Sequence, residues 1–539
     1  MKKIIFLLLL NLLLFSCARV GAPNGGTRDS LAPKFLGSNI DTTRLNVSRT
    51  VKELRLDFDE YVMLKDFNKN FNVSPPIKKI KKVIPSNLAN KYVLIQWEDT
   101  LQANTTYNFN FGNAIVDNNE SNPLPYFNFA FSTGDKIDDL FVSGTVKDAM
   151  TLIKENQTAK DNKMVVGLYK AGENLDYKQK PDYITKVDEE NYFELNFLPK
   201  GEFVIIAFDD ENQNSVYDAG KEKVSFLKEK ITLDSTSVRG LKLKLYPSKK
   251  VVKYKESKAI NGGLLMTFEG NPETVEVKSL SEELKDFKVT HAKRSDSVNI
   301  WFDAEKSNLG GTVSKQLKLS YFTPTISDTI SVSYKAVKDE FKLSNEAGNL
   351  IAPENNFVIN TSLPIENLNT SSWKLESDSI AQDFTAKISE KNPFKILVNS
   401  SFKPTKKYVL TIPKETVSSY YSSNDKSFQF QFEIDKPENY GSFTAVIKNK
   451  PTAKFWVELT NEKGEILYSQ FTNESEVSFK NLKPATYIAR IRVDNNGNGF
   501  WDEADFAQNI AAEDVYIFEK EINVRPLWEI KEDWELTNR

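Results

Sequence analysis

Apolar and polar residues alternate along most of this chain. Leu54, Leu56 and Phe58 alternate with Arg55 and Asp57, Tyr107, Phe109 and Phe111 with asparagines, and Phe127, Phe129 and Phe131 with Asn128 and Ala130. A period of two puts every second side chain on one face, so each segment predicts a half-buried β-strand. Clusters of Asp, Asn, Gly and Pro break the pattern roughly every 8 to 12 residues, the turn spacing of a β-sandwich. No amphipathic helical run of useful length interrupts it.

The N-terminus departs from this pattern. Lys2 and Lys3 precede an apolar run from Ile4 to Phe15, broken only by Asn11, and Ser16-Cys17 follow. A charged start, a short apolar stretch and a small residue before the cut make a secretory leader, residues 1–16. The run is too short for a bilayer core of about 30 Å, which needs roughly 20 residues. Residues 17–32 read as a linker, because Gly21, Pro23, Gly25 and Gly26 among small polar residues cannot build a core.

Two internal repeats follow. Residues 101–131 align with 402–432 at a constant offset, matching Tyr107 to Tyr408, Val116 to Val417 and the Phe127, Phe129, Phe131 strand to Phe428, Phe430, Phe432. Residues 198–218 align with 482–502, matching Phe203 to Tyr487, Asp210 to Asp494, Asn212 to Asn496, Asn214 to Asn498 and Asp218 to Asp502. A fixed period signals repeated supersecondary units. The expected order is module A (33–135), B (140–248), C (250–361), A′ (362–437) and B′ (438–535). The fold class is therefore all-β, a tandem of sandwiches.

Composition narrows the function. The chain has 71 basic and 74 acidic residues, a formal net charge of −3. Without Lys2 and Lys3 of the leader it falls by two, to about −5, and is evenly spread. No basic stripe argues for nucleic acid. Cys17 is the only cysteine. No disulfide can form within the chain, so the modules are held by their own cores. A leftover Cys in a secreted protein needs a reason. Lipidation is one; a free thiol after an ordinary leader is the plain alternative.

Residues 14–17, Leu-Phe-Ser-Cys, resemble the lipobox of bacterial lipoproteins, although Phe15 is bulkier than usual. The resemblance implies a lipid on Cys17, and the three acyl chains such lipoproteins carry exceed the two-signal requirement for stable anchoring. Module A resembles the bacterial Ig-like domains of S-layer and surface proteins. The matching residues are Pro33, Ser38-Asn39, the run from Leu56 to Val62, Leu101 to Tyr107, Val116-Asp117, Asn122-Pro123-Leu124 and Phe129 to Thr133. The leader, the run from Val20 to Gly26 and module A together resemble the Ig-like lipoproteins of Bacteroidota. That likeness implies an outer-membrane home and, more loosely, association with barrel-assembly or transport machinery. Modules B and B′ resemble transthyretin-like or Cna-B-like sandwiches through Gly144-Thr145-Val146, Leu198 to Phe203 and the Asp/Asn loop.

That loop is the sharpest chemical motif. From Asp494 to Asp505 it sets Asp494, Asn496, Asn498, Asp502 and Asp505 at positions 1, 3, 5, 9 and 12 of a twelve-residue loop, with Gly499 at 6 and the Phe500 carbonyl as a further oxygen. This is Ca²⁺-loop spacing, though strands flank it, so it is not an EF-hand. The copy in module B has Ser215 at position 6 and Lys221 at 12, where a lysine opposes a cation. The alternative is a long turn in which Asp and Asn bond their own backbone. Ca²⁺ is the one cofactor the sequence suggests.

Catalysis finds little support. His291 is the only histidine and sits on an expected strand, which leaves no zinc site and no Cys/His dyad. Neighbouring acids such as Asp59-Glu60 point to opposite faces of a strand and do not converge. Trp528, Trp534, Tyr420 and Tyr421 could stack on sugars or anchor an interface, or complete a local core. The expectation is a non-enzymatic, lipid-anchored envelope protein that binds or scaffolds a protein partner at the outer membrane. A surface glycan-binding module or an adhesin is the alternative. Residues 18–20, Ala-Arg-Val, lack the acidic cluster by which related bacteria mark surface lipoproteins, so the periplasmic or surface face stays open.

Overall fold

The computed structural model describes residues 29–152, 163–172, 175–337, 339–346 and 348–536. Cys17, the leader and most of the linker lie outside them. The described chain is almost entirely strand. Its helical pieces are the four-residue Phe67–Asn70 and two single 3₁₀ turns. No helix among the described residues is long and apolar enough to cross a membrane.

Each module is two sheets closed on one apolar core. In A, one sheet contains Phe35–Ser38, Glu53–Leu64, Asn90–Trp97 and Ile80–Ile84, and the other Asn72–Ser74, Thr106–Gly112 and Phe127–Ser132. Leu54, Leu56, Phe58, Phe109, Phe111, Phe129 and Phe131 meet between them, which are the inward positions of the period-two pattern. B and B′ share a topology. In both, the last strand pairs in parallel with the first, Val238–Leu245 with Leu140–Asp148 and Glu529–Glu535 with Gly441–Lys448.

One boundary must be corrected. Residues 343–361 belong to A′, not to C. Leu343–Asn345 and Phe357–Thr361 join Asn392–Ser400 in one A′ sheet, and Leu350–Ile351 pairs with Phe428–Ile434 in the other. Module C ends with the strand Ser327–Tyr334, which pairs with Lys315–Phe322. The A-to-A′ offset extends backwards in the structure: Glu53–Leu64 of A corresponds to the segment holding Phe357–Thr361. The pair also shares a corner. Tyr107 Oη accepts from Gln102 N at 2.9 Å, and Tyr408 Oη from Lys403 N at 2.8 Å, a tyrosine bonding back to the preceding loop as in other Ig-type sandwiches.

The modules are packed against one another. Ile184 N of B donates to Ser74 Oγ of A at 3.2 Å. Trp301, at the end of a strand of C, is buried in the core of A′ with Leu363, Ile365 and Ile396. Asn481 Nδ2 of B′ donates to Pro353 O of A′ at 2.8 Å. B and B′, far apart in sequence, share an apolar cluster that includes Ile206, Phe208 and Phe506.

Candidate functional site

The two Asp/Asn loops have the same internal bonding. In B, the strand Gly201–Asp209 delivers Asp210, only 4% exposed, at the loop entrance. Its carboxylate accepts from Asn214 N and Ser215 N, both at 3.0 Å. Asn212 Nδ2 donates to Asp218 at 2.6 Å. In B′, Asp494, 3% exposed, accepts from Asn498 N at 3.0 Å and Gly499 N at 2.9 Å. Asn496 Nδ2 and Asn498 Nδ2 donate to Asp502 at 2.5 and 2.7 Å. A buried carboxylate is costly without partners, and the loop's own N–H groups supply them. The backbone repeats too. Left-handed residues fall at Gln213 and Ser215 in B, with φ 58° and 62°, and at Gly497 and Gly499 in B′, with φ 71° and 82°. Glycine adopts that conformation freely, whereas other residues are strained there by about 1 kcal/mol or more.

Asp494, Asn496, Asn498 and Asp502 are thus brought together as the motif expects. Phe500 N donates to Asn498 Oδ1 at 2.8 Å. Asp505 is not brought in, contrary to its expected place at position 12. It closes a separate turn, in which its backbone bonds Ile510 and its carboxylate accepts from Gln508 N at 3.1 Å. Its place is taken by Glu513, which the motif missed. Glu513 accepts from Asn496 N at 3.1 Å and Asp502 N at 2.9 Å. Glu222 does the same in B, accepting from Glu211 N at 3.0 Å and Asp218 N at 2.9 Å. Each of these glutamates stands two residues before the Val that opens the next strand, Val224 or Val515. That shared position was the available signal.

Burial pushes both glutamates up. Glu222 reaches about 7, its burial and the charges of Asp210 and Asp218 outweighing its two N–H donors. Glu513 is raised by burial, offset in part by the N–H groups of Asp502 and Asn496. Burial also acts to raise Asp502, but the amides of Asn496 and Asn498 and the Arg294 guanidinium hold it below the ordinary carboxylate value. Among the described residues, no group of three or more His, Cys, Asp or Glu side chains is placed to hold a metal ion. The arrangement is a turn whose oxygens face the loop's own donors, with Arg294 of C on Asp502 as well.

The other candidates are dispersed over the modules. His291 Nε2 lies 3.0 Å from Ser295 O in a local turn. Trp534 is buried against Phe518. Trp528 is exposed beneath the Arg525 guanidinium. Tyr420 and Tyr421 pack on the A′ core, with Lys288 of C over Tyr420. An aromatic pair not anticipated lies on the outer face of B′, where Trp456 stacks on Phe471 at 4.4 Å between ring centres.

The family comparison agrees with the sandwich architecture of the first module. Residues 29–133 match the bacterial Ig-like domain. No curated protein matches the chain. Among solved structures, the S-layer protein SbsC is 12% identical, covering 92% of this chain and 67% of its own, with a TM-score of 0.15. BcpA, the major pilin subunit of Bacillus cereus, is also 12% identical, covering 74% of this chain and 99% of its own, with a TM-score of 0.13. The chain is a tandem of β-sandwich modules, the first of which matches the bacterial Ig-like domain.

Proposed function

We propose that this chain is a non-enzymatic envelope lipoprotein. It is anchored through Cys17 and scaffolds a protein partner at the outer membrane. One observation carries the scaffold reading: A with B, C with A′ and A′ with B′ meet in packed seams instead of swinging on free linkers. Trp301 of C set into the core of A′ is the clearest case. Fixed seams hold loops and sheet edges at constant spacing, which lowers the ordering cost of binding a large partner. The leader and Cys17 supply the address, and a barrel-assembly or transport component is the partner that the resemblance to Bacteroidota lipoproteins favours.

Crosslinking in native membranes followed by capture of the chain tests this reading. Recovery of one outer-membrane protein in constant proportion is the expected result, and recovery of no specific protein overturns it. Cys17→Ser should leave the membrane fraction; a mutant that still pellets after a salt wash overturns the anchor.

A glycan-binding reading has one observation of its own. The Trp456–Phe471 stack carries Lys454 and Arg492 at 5.7 and 5.9 Å from its rings, a flat aromatic surface with donors at its edge. Polysaccharide that protects Trp456 fluorescence from quenching, and loses that effect in Trp456→Ala, would favour it.

A further inference from the structure

The strand Gly201–Asp209 of B is apolar on both faces. Phe203, Ile205 and Ala207 enter the sandwich core. Ile206 and Phe208 point the other way and, with Val165 of the neighbouring strand, are as deeply buried. A sandwich strand buried on both faces needs a cover beyond the facing sheet. Tyr177, Tyr217 and Tyr246 of B supply part of it, and B′ supplies the rest. Ala504 and Phe506 lie on this face, with the Phe506 ring 4.4 Å from Tyr177, 5.1 Å from Phe226 and 5.8 Å from Tyr217.

The covering segment is an insertion. Asp218 and Glu222 of B correspond to Asp502 and Glu513 of B′, so residues 219–221 correspond to 503–512. The second loop is longer only between these two shared carboxylates, and Ala504 and Phe506 lie within the added length. On the equivalent face of B′ the positions of Ile206 and Phe208 are taken by Arg490 and Arg492, which bond both oxygens of Glu458. Backbone bonds fix the insertion in place. Lys249 N donates to Ala504 O at 2.8 Å, Ala504 N to Pro247 O at 3.1 Å, and Asn509 Nδ2 to Lys228 O at 3.2 Å. On module C, Arg294 pairs with Asp502 at 2.8 Å and lies 4.6 Å over the Phe500 ring.

We propose that residues 503–512 are a latch that closes B, C, A′ and B′ into a ring of contacts, and that the ring opens at this seam. B–C, C–A′ and A′–B′ are also joined by the chain itself. The contacts of the B′ loop with B and, through Arg294, with C are held by side chains and a few backbone bonds alone, so this is the seam that can part. Parting would remove the B′ share of the cover over Val165, Ile206 and Phe208.

The test uses the full chain carrying Cys17→Ser, with two variants. One is Phe506→Asp. The other replaces residues 503–512 by the Ala-Gly-Lys of 219–221, a loop that already folds between the same carboxylates in B. Small-angle scattering should show a larger radius of gyration and maximum dimension in both variants. Amide exchange in the strand Gly201–Asp209 should accelerate, with far-ultraviolet circular dichroism unchanged. Unchanged dimensions and exchange in the loop-replacement variant overturn the proposal. A photo-crosslinker at position 506 should give an adduct of monomer mass onto module B. An adduct of dimer mass would place the latch on a second copy and overturn closure within one chain.

Discussion

Arg294 of module C holds Asp502 of module B′ at 2.8 Å, while its Nε pairs with Glu273 at 2.5 Å. One guanidinium thus ties the Asp/Asn loop of the last module to the middle of the chain, with both carboxylates only partly exposed.

Arg294→Ala should lower stability by about 1 kcal/mol, the upper end for a partly exposed ion pair. The pH dependence should also change. The carboxyl of Asp502 is held below its ordinary value in the fold, so its contribution is full above the unfolded value and is lost as pH falls through the folded one. Thermal melting from pH 6 to pH 3 should show a smaller acid loss in Arg294→Ala than in the parent. Superimposable acid limbs would refute the link.

Glu222 has the opposite sign. Its folded value, about 7, lies above the ordinary carboxylate value, so the fold prefers the protonated form. Its contribution is fully present below the unfolded value and is lost as pH rises through about 7. Melting of module B should therefore decline from pH 5 to pH 8, and Glu222→Gln should flatten that decline at a constant cost from one lost acceptor. A decline of equal steepness in the variant would assign it to other groups.

Trp301→Ala should cost about 3–5 kcal/mol, the range for removing a large buried aromatic side chain. The indole is buried among residues of A′ while its Nε1 donates to Thr290 Oγ1 of C at 2.7 Å. The loss should split one calorimetric transition of C and A′ into two. A single transition with little change in urea midpoint would mean that the seam contributes nothing.

Ca²⁺ separates the two readings of the B′ loop. Under the ion-binding reading, the chain melts a few degrees higher in millimolar Ca²⁺ than in EDTA, since binding at tenfold excess over Kd adds about 1.4 kcal/mol. Asp494→Ala and Glu513→Gln should erase the rise, and Asp505→Ala should keep it, because Asp505 closes its own turn. Equal melting in both buffers leaves the loops as turns alone.

The alternation of apolar residues at positions 54–58 and 127–131 was enough to read strands and sandwich cores, because a period of two maps directly onto one face. The start of A′ was not legible. Leu56 and Phe58 of A have Phe357 and Ile359 as partners in A′, but too few identities surround them to extend the repeat by eye. Glu513 was hidden for a different reason. The insertion before it moved the carboxylate out of the expected register, and Asp505 stood by chance at position 12. The B–B′ contact had a trace in the unbroken apolar run from Phe203 to Phe208. Periodicity tells that such a strand is covered on both sides, but not what covers it.

The parallel pairing of first and last strands in B and B′ bears on how these modules carry force. Ser442 to Lys448 pairs residue by residue with Glu529 to Glu535. The chain enters B′ through the first of these strands and leaves it through the second, from opposite ends of the ladder. Tension applied between the two ends of the module therefore slides the two strands along each other and loads every bond of the ladder together. A hairpin pulled from one end would break them in turn. B′ is thus built to resist stretching along its own axis, a property that would serve the membrane-tethered scaffold proposed above.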